Sequence, residues 1–139
     1  MGWAISRSLI SALFDKSLTT CFIKQYQQYA NMSIDEASKT VSSNALDNGA
    51  VHLSYAAFES LKSGFKVGNY TPDQLFFIRY GQQFCAKHNS KTRLSDLAIG
   101  KSPEPFRVNV PLSNLNEFSK AFNCPIGSAM NPKDKCIVY

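Results

Sequence analysis

A mainly helical domain, with about four helices and one short extended segment, is what this 139-residue sequence predicts. Three observations carry that expectation. Leu46, Ala50, Leu53, Ala57 and Leu61 recur at steps of four, three, four and four, which places them on one helical face. Thr71, Pro72 and Gln74 make a helix start with a capping box and a proline at the first helical position, where its missing N–H costs nothing. Only Phe106, Val108 and Val110 alternate with polar residues long enough to suggest a strand over 106–110.

In chain order, residues 8–29 read as a first helix lined by Ile10, Phe14, Leu18, Cys21, Phe22, Gln25 and Tyr29. A second apolar set, Leu9, Leu13 and Ile23, asks for neighbours on two sides. Residues 31–39 read as a polar connection. Ser42, Ser43 and Asn44 then offer caps for the central helix, which runs to Leu61. Gly49 inside it costs about 1 kcal/mol against alanine, so a close neighbour or a buried polar partner is expected at that turn. Gly64 ends the run, and the helix opened by Thr71 extends to about Lys87. Residues 89–105 read as a polar loop stiffened by Pro103 and Pro105. Pro111 ends the extended segment, and Asn114 caps a last helix with Glu117 as its partner.

Composition narrows the function classes. A chain of 44% hydrophobic and 12% aromatic residues folds as one domain over 1–139. The net charge of +5 comes from scattered lysines and arginines, without the basic face of a nucleic-acid binder. No apolar run approaches the roughly 18 residues of a membrane span. Four cysteines, Cys21, Cys85, Cys124 and Cys136, include no C-x-x-C pair, which argues against a structural zinc site and for an oxidised protein. Sequons at Asn31 and Asn69 agree with a secretory route. The N-terminus does not, because Arg7 interrupts its apolar stretch and Asp15 and Lys16 follow, making it a poor signal peptide.

Several motifs then point to one family. Ser43-Asn-Ala-Leu-Asp47-Asn-Gly-Ala50 resembles the Glu-Asn-x-x-Asp-Asn-Gly/Ala-Gly motif of the neprilysin-type zinc metallopeptidases. Cys21 and the Tyr29–Ser33 sequon resemble the segment that precedes it. Residues 74–85, 102–114, 117–124 and 130–139 resemble, in order, the family's later helix and tail motifs. The resemblance covers about residues 19–139, the C-terminal segment of a zincin catalytic domain; residues 1–18 are a helical lead-in or a divergent N-terminus.

The resemblance implies zinc and peptide hydrolysis, and the departures from it imply their loss. The family's glutamate ligand is Ser43 here, and the histidine that stabilises the transition-state oxyanion is Lys101. Asp47 and Arg107 match the aspartate that orients a zinc-bound histidine and the arginine that contacts substrate. Asp47 should now bond to backbone or to Arg107, and Arg107 should serve as a structural arginine. The His-Glu-x-x-His pair is missing, since His52 and His88 cannot form it. The expectation is therefore a pseudoenzyme with no catalytic residue active, no metal ligand and no bound zinc. It would be a binding or regulatory remnant, whose partner is a peptide or a related full-length peptidase met through Leu75, Phe76 and Phe84. The alternative is zinc metalloendopeptidase activity complemented by a chain that carries the histidine motif, or a partial gene product. Truncation alone would have left Glu at 43 and His at 101. The resemblance also implies a Cys21–Cys136 disulfide, with Cys85 and Cys124 either free and buried or joined to each other, and an extracellular or secretory location.

Overall fold

The computed structural model describes residues 2–11, 18–64 and 66–138. Seven helices lie among them: α1 (Gly2–Ser11), α2 (Thr19–Ala30), α3 (Ile34–Leu61), α4 (Pro72–Gln82), α5 (Ser90–Ala98), α6 (Glu104–Asn114) and α7 (Asn116–Ala121). The mainly helical class stands, with seven helices among the described residues instead of the four expected. Leu13 and Phe14 of the predicted first helix lie outside the described residues, which give that region as α1 and α2.

Two elements begin where unexpected local chemistry puts them. Helix α3 starts at Ile34, eight residues before the first of the expected caps, because Ser33 and Glu36 form a reciprocal capping box. The Ser33 hydroxyl accepts from the Glu36 N–H at 3.2 Å, and the Glu36 carboxylate accepts from the Ser33 N–H at 2.9 Å. Helix α5 replaces part of the expected loop; the Asn89 side chain accepts from the Thr92 N–H at 2.9 Å and caps it. The Thr71 capping box opens α4 as expected, but α4 ends at Gln82 rather than near Lys87.

The extended segment at 106–110 is overturned: these residues are helical, inside α6. Phe106 and Val110 stand four apart, so a helix packs both on the first core as readily as a strand would. Pro111 sits within the helix instead of ending it. Proline removes the N–H that would bond the carbonyl of Arg107. The Tyr80 hydroxyl donates to that carbonyl at 2.8 Å, so the buried acceptor stays satisfied. Asn114 is the last residue of α6, not the cap of α7.

Two apolar cores share α3 and α6. Phe22, Tyr26, Ala37, Val41, Ala45, Val110, Cys136 and Val138 form the first. Val51, Tyr55, Phe77, Tyr80, Phe84, Leu112 and Leu115 form the second. The expected stripe on α3 is only partly inward: Leu46 and Leu53 pack on the first core, while Leu61 is 84% exposed. Helices α1, α2 and α6 all pack on α3, so burial from Ala37 to Tyr55 goes around the helix rather than along one face. The expected apolar patch is not presented. Phe84 is buried, and Phe76 packs on Phe58 and Tyr55 with ring centres 5.0 and 5.3 Å apart.

Tyr55 ties the second core to α4 and supplies a pH dependence. Its hydroxyl donates to Asp73 at 2.9 Å, and Lys62 approaches the same oxygen at 2.9 Å. Burial, then the Asp73 hydrogen bond, pushes the Tyr55 phenol from 10.0 up to about 12. A folded-state value above the unfolded one contributes stability that is whole below the unfolded value and is lost as pH rises through the folded one. The denaturation midpoint should therefore fall between pH 10 and about 12. Burial pushes Tyr26 and Tyr80 up as well, so Tyr55→Phe should lessen this alkaline slope without abolishing it. Urea titrations across that range measure it; an unchanged slope in Tyr55→Phe would assign the dependence to other groups.

Candidate functional site: a buried aspartate between two arginines

On α3 the residues Ser43 and Asp47 stand one turn apart, as do Asn44 and Asn48, so four polar groups project between the two cores. Asp47 has no exposed side-chain surface. Arg107, in the first turn of α6, donates Nε to Asp47 Oδ2 at 2.7 Å and Nη2 to Oδ1 at 3.1 Å. This two-point geometry is the strong form of a carboxylate–guanidinium contact. The Arg107 guanidinium also lies 4.9 Å from the centre of the Phe84 ring. Of the two partners the sequence left open to Asp47, the structure has Arg107.

A second arginine, which sequence reasoning did not place here, completes the centre. Arg7 of α1 donates Nη2 to Ser43 Oγ at 2.9 Å and Nη1 to the Ser43 carbonyl at 3.1 Å. It also donates to Asp47 Oδ1. One signal could have found it: Arg7 is the charged residue that interrupts the apolar stretch at the N-terminus. A guanidinium drawn into a partly buried position needs an acid, and Asp47 is the acid on the inward face of α3.

Burial pushes the Asp47 carboxyl above its ordinary value, and the Arg107 hydrogen bonds and the charges of Arg107, Arg7 and Lys101 oppose that push. All the donors point at its oxygens, which is the arrangement of a carboxylate. Arg107 moves upward: burial works against its charge, but the Asp47 hydrogen bond and charge prevail.

A ladder of buried amides continues from this centre. Ser102 donates to Asn44 at 2.7 Å, Asn44 to Thr40 at 3.0 Å and Asn48 to the Asn44 carbonyl at 2.8 Å. Asn114 donates to Asn48 at 2.6 Å and exchanges bonds with Gln25 at 2.7 and 2.9 Å. Its oxygen also accepts the Cys136 N–H at 3.2 Å. The ladder joins α2, α3, α6 and the C-terminal tail, and every amide in it has partners.

The remaining candidate residues fall elsewhere. Lys101 is held by Asp96 at 3.7 Å and does not contact Asp47. Cys21 and Cys136 are joined, with Cα atoms 5.9 Å apart. Cys85 and Cys124 are free thiols, Cys85 exposed and Cys124 half-buried, so the expectation of burial does not hold for Cys85. Asn31 and Asn69 are exposed, Asn31 in the left-handed conformation that ends α2. His52 is exposed on α3, and His88 lies beyond the end of α4, 3.1 Å from Glu104.

The sequence model of Peptidase family M13 matches residues 11–138. The chain belongs to peptidase family M13. It is 40% identical over 130 residues to neprilysin-2 of Caenorhabditis elegans, covering 86% of this chain and 18% of that protein. It is 35% identical over 132 residues to endothelin-converting enzyme 1 of Rattus norvegicus, covering 89% of this chain and 17% of that one. Among solved structures it resembles a chain of the Haemonchus galactose containing glycoprotein complex, with a TM-score of 0.76 and 27% identity over 89% of this chain and 23% of the other. The M13 chain described here thus spans less than a fifth of the length of the curated relatives it matches. No helix among the described residues is long and apolar enough to cross a membrane.

Proposed function

We propose that this chain is a non-catalytic member of family M13, in which the family's metal-ligand position has become part of an internal ion-pair centre. Its role is then binding or regulation rather than turnover. The observation that carries the reading is Arg7, whose guanidinium lies on Ser43 and Asp47. By resemblance, Ser43 stands where a glutamate holds zinc, and Asp47 where an aspartate orients a zinc-bound histidine.

Zinc at such a site needs carboxylate, thiolate or imidazole donors at about 2.0–2.3 Å. Ser43 offers a neutral hydroxyl that already accepts from Arg7. Both Asp47 oxygens are taken by guanidiniums. A dication here would also face the fixed charge of Arg7 at close range, which is repulsive. These residues do not fit zinc, and no hydrolytic step is derived through it. Lys101, at the position of the family's oxyanion histidine, is engaged with Asp96. The Cys21–Cys136 disulfide and the exposed sequon asparagines support a secretory, oxidising location.

The test is hydrolysis of a peptide with a bulky residue after the scissile bond, with zinc added and with chelator. No chelator-sensitive turnover is expected. Zinc-dependent cleavage that disappears in Ser43→Ala would overturn the proposal. Metal content alone does not decide it, because zinc held elsewhere on the chain gives no peptide cleavage.

A further inference from the structure

We propose that His88, Asp96 and Glu104 form a binding site for a single divalent transition-metal ion of the zinc type, away from the Asp47 centre. One ligand atom from each of the three lies within 4.8 Å of the other two. His88 Nε2 is 3.1 Å from Glu104 Oε1. They come from three elements: the linker after α4, the last turn of α5 and the first residue of α6. The turn between α5 and α6 passes through Gly100, whose φ of +76° is the left-handed conformation; an added Cβ would stand 2.9 Å from the Lys39 carbonyl oxygen, so the turn packs closely on α3.

The donor set selects the ion. One imidazole and two carboxylates suit zinc and its neighbours, whereas magnesium and calcium take oxygen donors. Ligand atoms about 2.1 Å from a tetrahedral ion stand about 3.4 Å from one another, so atoms within 4.8 Å close onto it by side-chain rotation. Asp96 and Glu104 are half-buried, which limits that rotation, and the His88 side chain, already beside Glu104 and 27% exposed, supplies the rest. The site adjoins a cavity of about 480 Å³ lined by His88, Glu104, Phe84, Cys85 and Val108. The cavity leaves room for water or a ligand atom in the fourth position of a three-ligand zinc site. Lys101, 3.7 Å from Asp96, competes for that carboxylate, but its side chain is 38% exposed and can turn to solvent. The C-terminal end of α5 favours a cation at Asp96, while the first turn of α6 opposes one at Glu104.

The experiment is calorimetric titration of the untagged 139-residue chain with zinc, repeated with cobalt and read by visible absorption. One equivalent should bind. Loss of a direct ligand should weaken binding at least as much as loss of an outer-shell partner does, about 10–100-fold, in both His88→Ala and Glu104→Gln. Both variants should keep the parent circular dichroism spectrum, since the side chains reach solvent. Cys85→Ser should bind as the parent does, and cobalt should show no thiolate charge-transfer band. Absence of stoichiometric binding, or binding unchanged in His88→Ala, would overturn the proposal. So would loss of binding in Cys85→Ser, which would assign the ion to the thiol. None of these outcomes bears on the peptide-cleavage test of the non-catalytic reading.

Discussion

Replacing Arg107 with methionine should cost about 3–5 kcal/mol of stability, the range for removing one partner of a buried ion pair. The side chain volume is nearly kept, so the loss is electrostatic. Asp47 would retain Arg7 but lose both bonds to α6, at 2.7 and 3.1 Å. Methionine can still lie against Phe84, where the guanidinium now sits at 4.9 Å, so packing on the ring is largely preserved. Urea denaturation with an unchanged m-value measures the effect. Adding Asp47→Leu to Arg107→Met should restore part of the loss, because the carboxylate left short of partners is then gone. A loss below about 1 kcal/mol, the size of an exposed ion pair, would show that the centre does not hold the two cores together.

The second large effect belongs to the disulfide. Cys21 and Cys136 are separated by 115 residues, and opening a loop of that length should cost on the order of 4–5 kcal/mol in the chain-entropy description. The variant Cys21→Ser with Cys136→Ser should therefore lose that much in denaturant titration, and reductant should lower the melting temperature of the parent chain. The same reductant should leave the double variant unaffected, since Cys85 and Cys124 are already thiols. Continued sensitivity in the double variant would mean that another pairing carries the stability. Cys136 is buried in the first core, and its N–H is bonded to Asn114, so opening the bridge also loosens the end of the amide ladder.

Arg107 and Cys136 illustrate how differently the parts of this protein could be read. The order of motifs, from the Ser43–Ala50 segment to the Met130–Tyr139 ending, pointed to the family without any coordinates. Thr71, Pro72 and Gln74 set the start of α4, because a cap acts within four residues and needs nothing else. The Ser33–Glu36 box obeys the same rule and is equally legible in the sequence, where Ser42, Ser43 and Asn44 compete with it as cap types.

What lay beyond the sequence has a common physical cause. Phe106, Val108 and Val110 satisfy a period of two, but Phe106 and Val110 also satisfy helical spacing, and only packing of α6 on α2, α3 and α4 chooses between them. Pro111 ends helices in general, and is accommodated here because Tyr80, from another helix, bonds the carbonyl it leaves open. Asp47 takes its partners from 40 and 60 residues away, Arg7 and Arg107. Short-range chemistry is written in neighbouring residues, whereas the partner of a buried charge is decided only when distant helices close on it.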